Sequence, residues 1–170
     1  KNTVDSERYL ADLVAHGGEQ VIDLRDAEVV VVNTCGFIDA AKQESIDAIL
    51  EATRLKEHGA CRAVFAIGCM IERHKDELID ALPEVDVFLG TSETDRLLPE
   101  LIERGLIGGE LLEHPGVRVF GGDAAHVRYL KVSEGCDHGC AFCAIPLMRG
   151  KHRSFALDEL VREAQLLELQ

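Results

Sequence analysis

No stretch of this sequence approaches the roughly 20 apolar residues that a membrane helix requires; the longest largely apolar run is 63–71. The first 20 residues are polar and charged, without the apolar centre of a secretory signal. Internal repeats are absent, and 46% hydrophobic with 29% charged residues excludes disorder, collagen and low-complexity fibre. Positive charge is scarce. The net charge is −13, and residues 126–170 hold six Lys/Arg and six Asp/Glu, so the whole excess lies in 1–125. Such a surface is poorly suited to phosphate backbones, whose affinity comes from Lys and Arg. It suits a basic protein partner by complementary potential, and equally serves as a solvated face that keeps the chain soluble. The expectation is a soluble, cytoplasmic chain with no membrane association, its 170 residues amounting to one domain and part of a second.

Strand and helix patterns alternate through the first hundred residues. Helical faces are predicted over 6–16, 38–57, 72–81 and 94–104, and strands over 28–33, 63–67 and 85–89. The run Val29-Val30-Val31-Val32 suits a strand buried on both faces. This alternation is the mark of a parallel sheet covered by helices. Residues 1–104 therefore read as an open, doubly wound, Rossmann-like α/β domain. Residues 105–125, rich in glycine, read as a linker with one short edge strand at 117–120. Residues 126–170 read as the start of a second α/β domain, with a strand at 127–132 and an amphipathic helix at 156–169. Leu157, Leu160, Val161, Ala164 and Leu167 are expected to lack a partner sheet.

Six cysteines fall at 35, 61, 69, 136, 140 and 143. An even count is no evidence for disulfides in a reducing compartment, where clustered cysteines more often mean metal or catalysis. Cys136, Cys140 and Cys143 form a Cys-x3-Cys-x2-Cys motif directly after the predicted strand. Three thiolates so close suit a 4Fe–4S cluster, leaving one iron open to a small chelating molecule. They also suit zinc completed by a further ligand such as His138 or His152, or, less directly, a redox dithiol. Cys35 and Cys69 close two predicted strands, and the carboxyl ends of strands in an open α/β sheet are where ligands gather. Cys61 reads as a packed or surface thiol. His16, His58, His74, His114 and His126 read as surface residues, and His138 as a bystander. Arg149, Lys151 and Arg153 form a small basic stretch, solvated by default, in which a guanidinium could orient a carboxylate.

The cysteine motif, with Phe142 just before its third cysteine, resembles the radical S-adenosylmethionine superfamily. The flanking segments 129–135 and 145–150 narrow the resemblance to the methylthiotransferases, which modify either a tRNA adenosine or an aspartate of a ribosomal protein. The step Ala144-Ile145-Pro146-Leu147-Met148-Arg149-Gly150 and the opening Val4-Asp5-Ser6-Glu7 look more like the ribosomal-protein enzymes, with tRNA the alternative. Ser154-Phe155-Ala156 departs from the Ser-Arg-Pro step common in the family.

The resemblance implies two 4Fe–4S clusters and S-adenosylmethionine as cofactors. Cys136, Cys140 and Cys143 would hold one cluster, with Phe142 against the adenine. Cys35 and Cys69 would hold an auxiliary cluster together with a third cysteine expected upstream of Lys1-Asn2. No acid–base catalytic residue is implied. The partners implied are a basic protein of the small ribosomal subunit and an electron donor. Residues 126–170 would open a partial (β/α) barrel. The chain is expected to be truncated at both ends and inactive alone. A zinc-binding interaction module without catalysis is the reading of another class.

Overall fold

The computed structural model describes residues 2–111, 118–119 and 127–169. Helix α1 (Asn2–Ala15) is followed by strand β1 (Val29–Thr34), helix α2 (Asp39–His58), strand β2 (Ala63–Gly68), helix α3 (Cys69–Ala81), strand β3 (Val87–Leu89) and helix α4 (Leu97–Glu103). The three strands form one parallel sheet in the order β1-β2-β3, with β1 paired to β2 from Val29–Ala63 to Thr34–Gly68. The α/β alternation and the parallel sheet expected from the sequence are therefore present, with β1 and β2 as direct neighbours.

The core explains the layers. Side chains alternate across a strand, and β2, buried throughout, serves both faces. Val64 and Ala66 join Ile49, Met70, Ile71 and Phe88 on one side of the sheet. Ala63, Phe65 and Ile67 join Val87, Leu97 and Leu101 on the other, covered further by Tyr9 and Leu13 of α1. The four-valine run behaves differently from expectation. Val29 to Val32 are only half-buried, because β1 pairs on one side alone among the described residues. Its open edge borders a groove of about 700 Å³ lined by α1, β1 and α4, among them Leu10, Leu13, Val29, Val31 and Leu101.

The remaining elements are strand β4 (Ser133–Glu134), helix α5 (Ile145–Arg149), strand β5 (Arg153–Ser154) and helix α6 (Leu157–Leu169). The strand expected at 127–132 is not formed. The ladder is instead the two-residue antiparallel pairing of β4 with β5. Of the expected strand, the Val132 carbonyl accepts from the Phe155 N–H at 3.2 Å, but among the described residues no ladder extends back from there, and a strand needs a continuous hydrogen-bonded neighbour. On α6, Leu157 and Val161 are exposed as expected, but Leu167 is buried. The proposed edge strand at 117–120, His114 and His126 lie wholly or partly outside the described residues. Of that stretch, Arg118 is buried and paired to Glu7 of α1 and Glu163 of α6, and Arg8 also pairs with Glu163 at 2.9 Å. The last segment thus packs directly on the first.

No helix among the described residues is long and apolar enough to cross a membrane.

Candidate functional site

The carboxyl ends of β1 and β2 carry the first two cysteines. Thr34 and Gly68 are the last registered pair, so Cys35 and Cys69 leave the sheet side by side from neighbouring strands. Thr34, fully buried, donates its hydroxyl to the Ile67 carbonyl at 2.7 Å and ties the two ends together. Ser45 of α2 accepts the Cys35 N–H at 3.0 Å while donating to the Ala41 carbonyl at 2.8 Å, fixing the backbone at that cysteine.

Cys69 opens α3 because the chain turns sharply at Gly68. That glycine has φ +103°, and a Cβ there would sit 2.7 Å from both Asn33 Oδ1 and the Thr34 carbonyl oxygen. Only glycine adopts the turn without strain. Cys69 therefore sits in the first turn of α3, which kinks at His74 (φ −130°), and the free backbone N–H groups of that first turn favour an anionic sulfur. Burial pushes its thiol upward, and the nearby Arg149 guanidinium pulls it back; the neighbouring Cys35 raises it again.

The second group of cysteines lies on the irregular loop between β4 and α5. Its base is closed by a hydrogen bond from the Cys136 N–H to the Gly150 carbonyl at 3.1 Å, and Cys143 N–H bonds the Cys140 carbonyl at the same distance. Gly135 (φ +72°) precedes the first cysteine, and a Cβ there would collide with the Lys151 carbonyl. Cys140 is exposed, while Cys136 and Cys143 are half-buried. Phe142 stands 94% exposed beside them, its ring face open.

Between the two cysteine groups lies a shielded charge cluster. Arg149 donates to Asp5 Oδ2 at 2.9 Å, Glu134 Oε2 at 3.2 Å and Asn2 Oδ1 at 2.6 Å. Lys131 donates to Asp5 Oδ1 at 2.6 Å and also pairs with Glu134. Burial opposes the Arg149 charge, but its hydrogen bond to Asp5 and the surrounding Cys69 and Glu134 hold its pKa above the ordinary value. This corrects the reading of Arg149 as a solvated or substrate-facing cation. Lys151 does stay exposed, and Arg153 lies 5.5 Å over the Phe155 ring. Sequence reasoning missed Asn2, Asp5, Lys131 and Glu134; all four lie within segments whose resemblance it had noted, but nothing in spacing showed that they meet.

Cys61 is buried, donates to the Ala63 carbonyl at 3.4 Å, and is pushed upward by burial, as befits a packed thiol. His58, His138 and His152 are exposed, whereas His16 and His74 are half-buried. Among the described residues no three His, Cys, Asp or Glu side chains stand together as a ready metal site. The donor chemistry nonetheless suits an iron–sulfur cluster: thiols only, on paired strand ends and on a loop without regular structure. Sites of this kind close around the metal as it binds.

A family model described as "Uncharacterized protein family UPF0004" matches residues 1–90. The ribosomal protein uS12 methylthiotransferase RimO of Chloroherpeton thalassium is 47% identical over 99% of the chain, which covers 37% of that protein. Its counterpart from Anaeromyxobacter sp. (strain K) is 43% identical over 100% of the chain and 37% of its own length. The one from Symbiobacterium thermophilum is 43% identical over 98% and 36%. The chain thus spans a little over a third of the length of these curated relatives, and the resemblance to methylthiotransferases is borne out.

Proposed function

The chain belongs to the family described as uncharacterized protein family UPF0004, and from that premise we propose that it forms part of a radical S-adenosylmethionine methylthiotransferase. Its substrate is an aspartate side chain of the basic small-subunit ribosomal protein uS12, and its setting is the cytoplasm. The observation that carries this reading is the 47% identity to a methylthiotransferase of that ribosomal protein over nearly the whole chain. The acidic residues of 1–125 support a basic protein substrate over tRNA.

In this reading, 1–104 is the auxiliary-cluster domain, 105–125 a linker and 126–170 the start of the radical domain. Cys136, Cys140 and Cys143 would hold one 4Fe–4S cluster, and Cys35 with Cys69 would contribute to a second. When bound, the clusters and S-adenosylmethionine would supply an electron from an external donor, radical hydrogen abstraction and sulfur, chemistry that side chains alone do not offer. The protein's residues position and shield. Gly68 and Gly135 let the backbone turn so that Cys69 and Cys136 leave their strands at the required points. Ser45 and Thr34 hold the Cys35 backbone, and Phe142 offers an open ring on which an adenine can stack.

The test is anaerobic reconstitution with iron and sulfide. Cys136→Ala, Cys140→Ala or Cys143→Ala is expected to abolish the visible iron–sulfur absorbance of the loop site, since two thiolates leave a second iron unligated. Cys61→Ala is expected to leave iron content unchanged. Uptake of a single zinc ion with no iron absorbance would support an interaction module instead, and equal iron loss from Cys61→Ala and Cys140→Ala would overturn the ligand set.

A further inference from the structure

The charge cluster around Arg149 touches both cysteine groups and belongs to neither. Asn2 and Asp5 sit on α1, and α1 is anchored to the end of β1: Asn2 Nδ2 donates to the Thr34 carbonyl at 3.4 Å, and Asn33 Nδ2 donates to the Asn2 carbonyl at 3.2 Å. Thr34 immediately precedes Cys35. On the other side, Glu134 stands two residues before Cys136, and Arg149 immediately precedes Gly150, whose carbonyl receives the Cys136 N–H. Arg149 also lies close enough to Cys69 for its charge to favour the thiolate. One guanidinium therefore sits near Cys69, against the helix tied to the strand that carries Cys35, and at both flanks of the three-cysteine loop.

The cluster is well shielded. The side chains of Lys131, Arg149, Asp5 and Glu134 are 8%, 11%, 13% and 13% exposed. Two cations face two anions. Shielded charges are tolerated only while each keeps its partners, so the set is satisfied in one arrangement, with the loop flanks seated on α1. The planar fork of arginine, with five donors, can serve several partners at once; the compact lysine head cannot span them.

Deepening the proposed function and resting on it, we infer that Arg149 is the positioning residue that locks the three-cysteine loop against the Cys35–Cys69 strand ends and so sets the spacing between the two metal-binding sites. A fixed spacing is what a reaction needs when a substrate radical made at one site must meet sulfur held at the other, because small misplacements of reacting groups cost much rate.

The test compares the chain with its Arg149→Gln, Arg149→Lys and Asp5→Asn variants, and with Arg96→Gln as a remote surface control. Hydrogen exchange of the metal-free proteins is read by mass spectrometry over 136–143 and over β2. Arg149→Gln is expected to speed exchange over 136–143 by about tenfold or more, and far more than it speeds exchange over β2. Asp5→Asn should move the same segment in the same direction by less, and Arg149→Lys should not restore protection. After reconstitution with iron and sulfide, the electron paramagnetic resonance spectrum of the reduced loop cluster should change in Arg149→Gln and stay as in the parent in Arg96→Gln. Unchanged loop exchange would overturn the inference. So would equal acceleration in β2, which would reduce Arg149 to bulk stability, or full rescue by lysine, which would reduce it to a bare charge. A parent chain that takes up no iron would instead overturn the proposed function, with the exchange result still deciding whether the lock exists.

Discussion

Glu93 shows how individual charges contribute outside the site. Its carboxylate accepts from Lys75 Nζ at 2.5 Å and from the Gly90 N–H at 3.1 Å. The hydrogen bond from Lys75, first of these causes, holds its pKa below the ordinary 4.5. A depressed carboxylate pKa means stabilisation that is complete above the unfolded value and is lost as pH falls through the lower folded one. Glu93→Gln is therefore expected to lower the urea midpoint at about pH 7, and its midpoint should converge on the parent's as pH falls below about 4.5 and on through the lowered folded pKa. A midpoint difference that persists undiminished in acid would point to lost packing rather than lost charge. The same rule separates Cys61 from Cys69. Both thiols are pushed up by burial, but only Cys69 has a guanidinium beside it.

At the scale of elements, the decisive contrast is between β1 and β2. Both are six residues long, and β1 is apolar up to Asn33, yet β2 has a neighbour on each side and helices over both faces, whereas among the described residues β1 has one neighbour. Phe65, fully buried at the centre of one core, is expected to cost about 3–5 kcal/mol when replaced by alanine. Val30→Ala on the half-buried strand should cost about 1 kcal/mol. Chemical denaturation of the two variants checks the order, and equal losses would mean that the β1 edge is covered in solution. Helix α5 is a second case. Pro146 near its start suits the first helical turn, and Thr91, which donates its hydroxyl to the Met148 carbonyl, anchors its end to the segment after β3.

For the whole molecule, the question is what the 170 residues can do by themselves. Cys35 and Cys69 offer two sulfurs where the resemblance implies three. The segment after them contributes, among the described residues, a two-residue ladder and one longer helix, too little to enclose a radical and exclude water. Supplied with S-adenosylmethionine, a strong reductant, sulfide and the basic ribosomal protein, the chain alone is expected to form no methylthio-aspartate detectable by mass spectrometry. Formation of that product would show that these residues suffice.

The sequence by itself determined the α/β class and the parallel sheet, and it separated Cys61 from the clustered cysteines while leaving open whether that thiol is packed or on the surface. Local hydrophobic periodicity and the glycine and proline stops carry that information, because each element must bury its own apolar face. Spacing and place after strands also suggested which cysteines to group, and the register of β1 with β2 brings Cys35 and Cys69 out of neighbouring strand ends. The tertiary structure alone decided that, among the described residues, the valine run of β1 pairs on one side only, since strand burial depends on neighbours that no local pattern records. It alone turned the expected strand at 127–132 into a two-residue antiparallel ladder, because pairing needs a partner supplied from elsewhere in the chain. It alone gathered Asn2, Asp5, Lys131, Glu134 and Arg149 between the cysteine groups. Those five are separated by up to 147 positions, and a shielded charge finds its partners through folding in three dimensions, where spacing along the chain carries no signal.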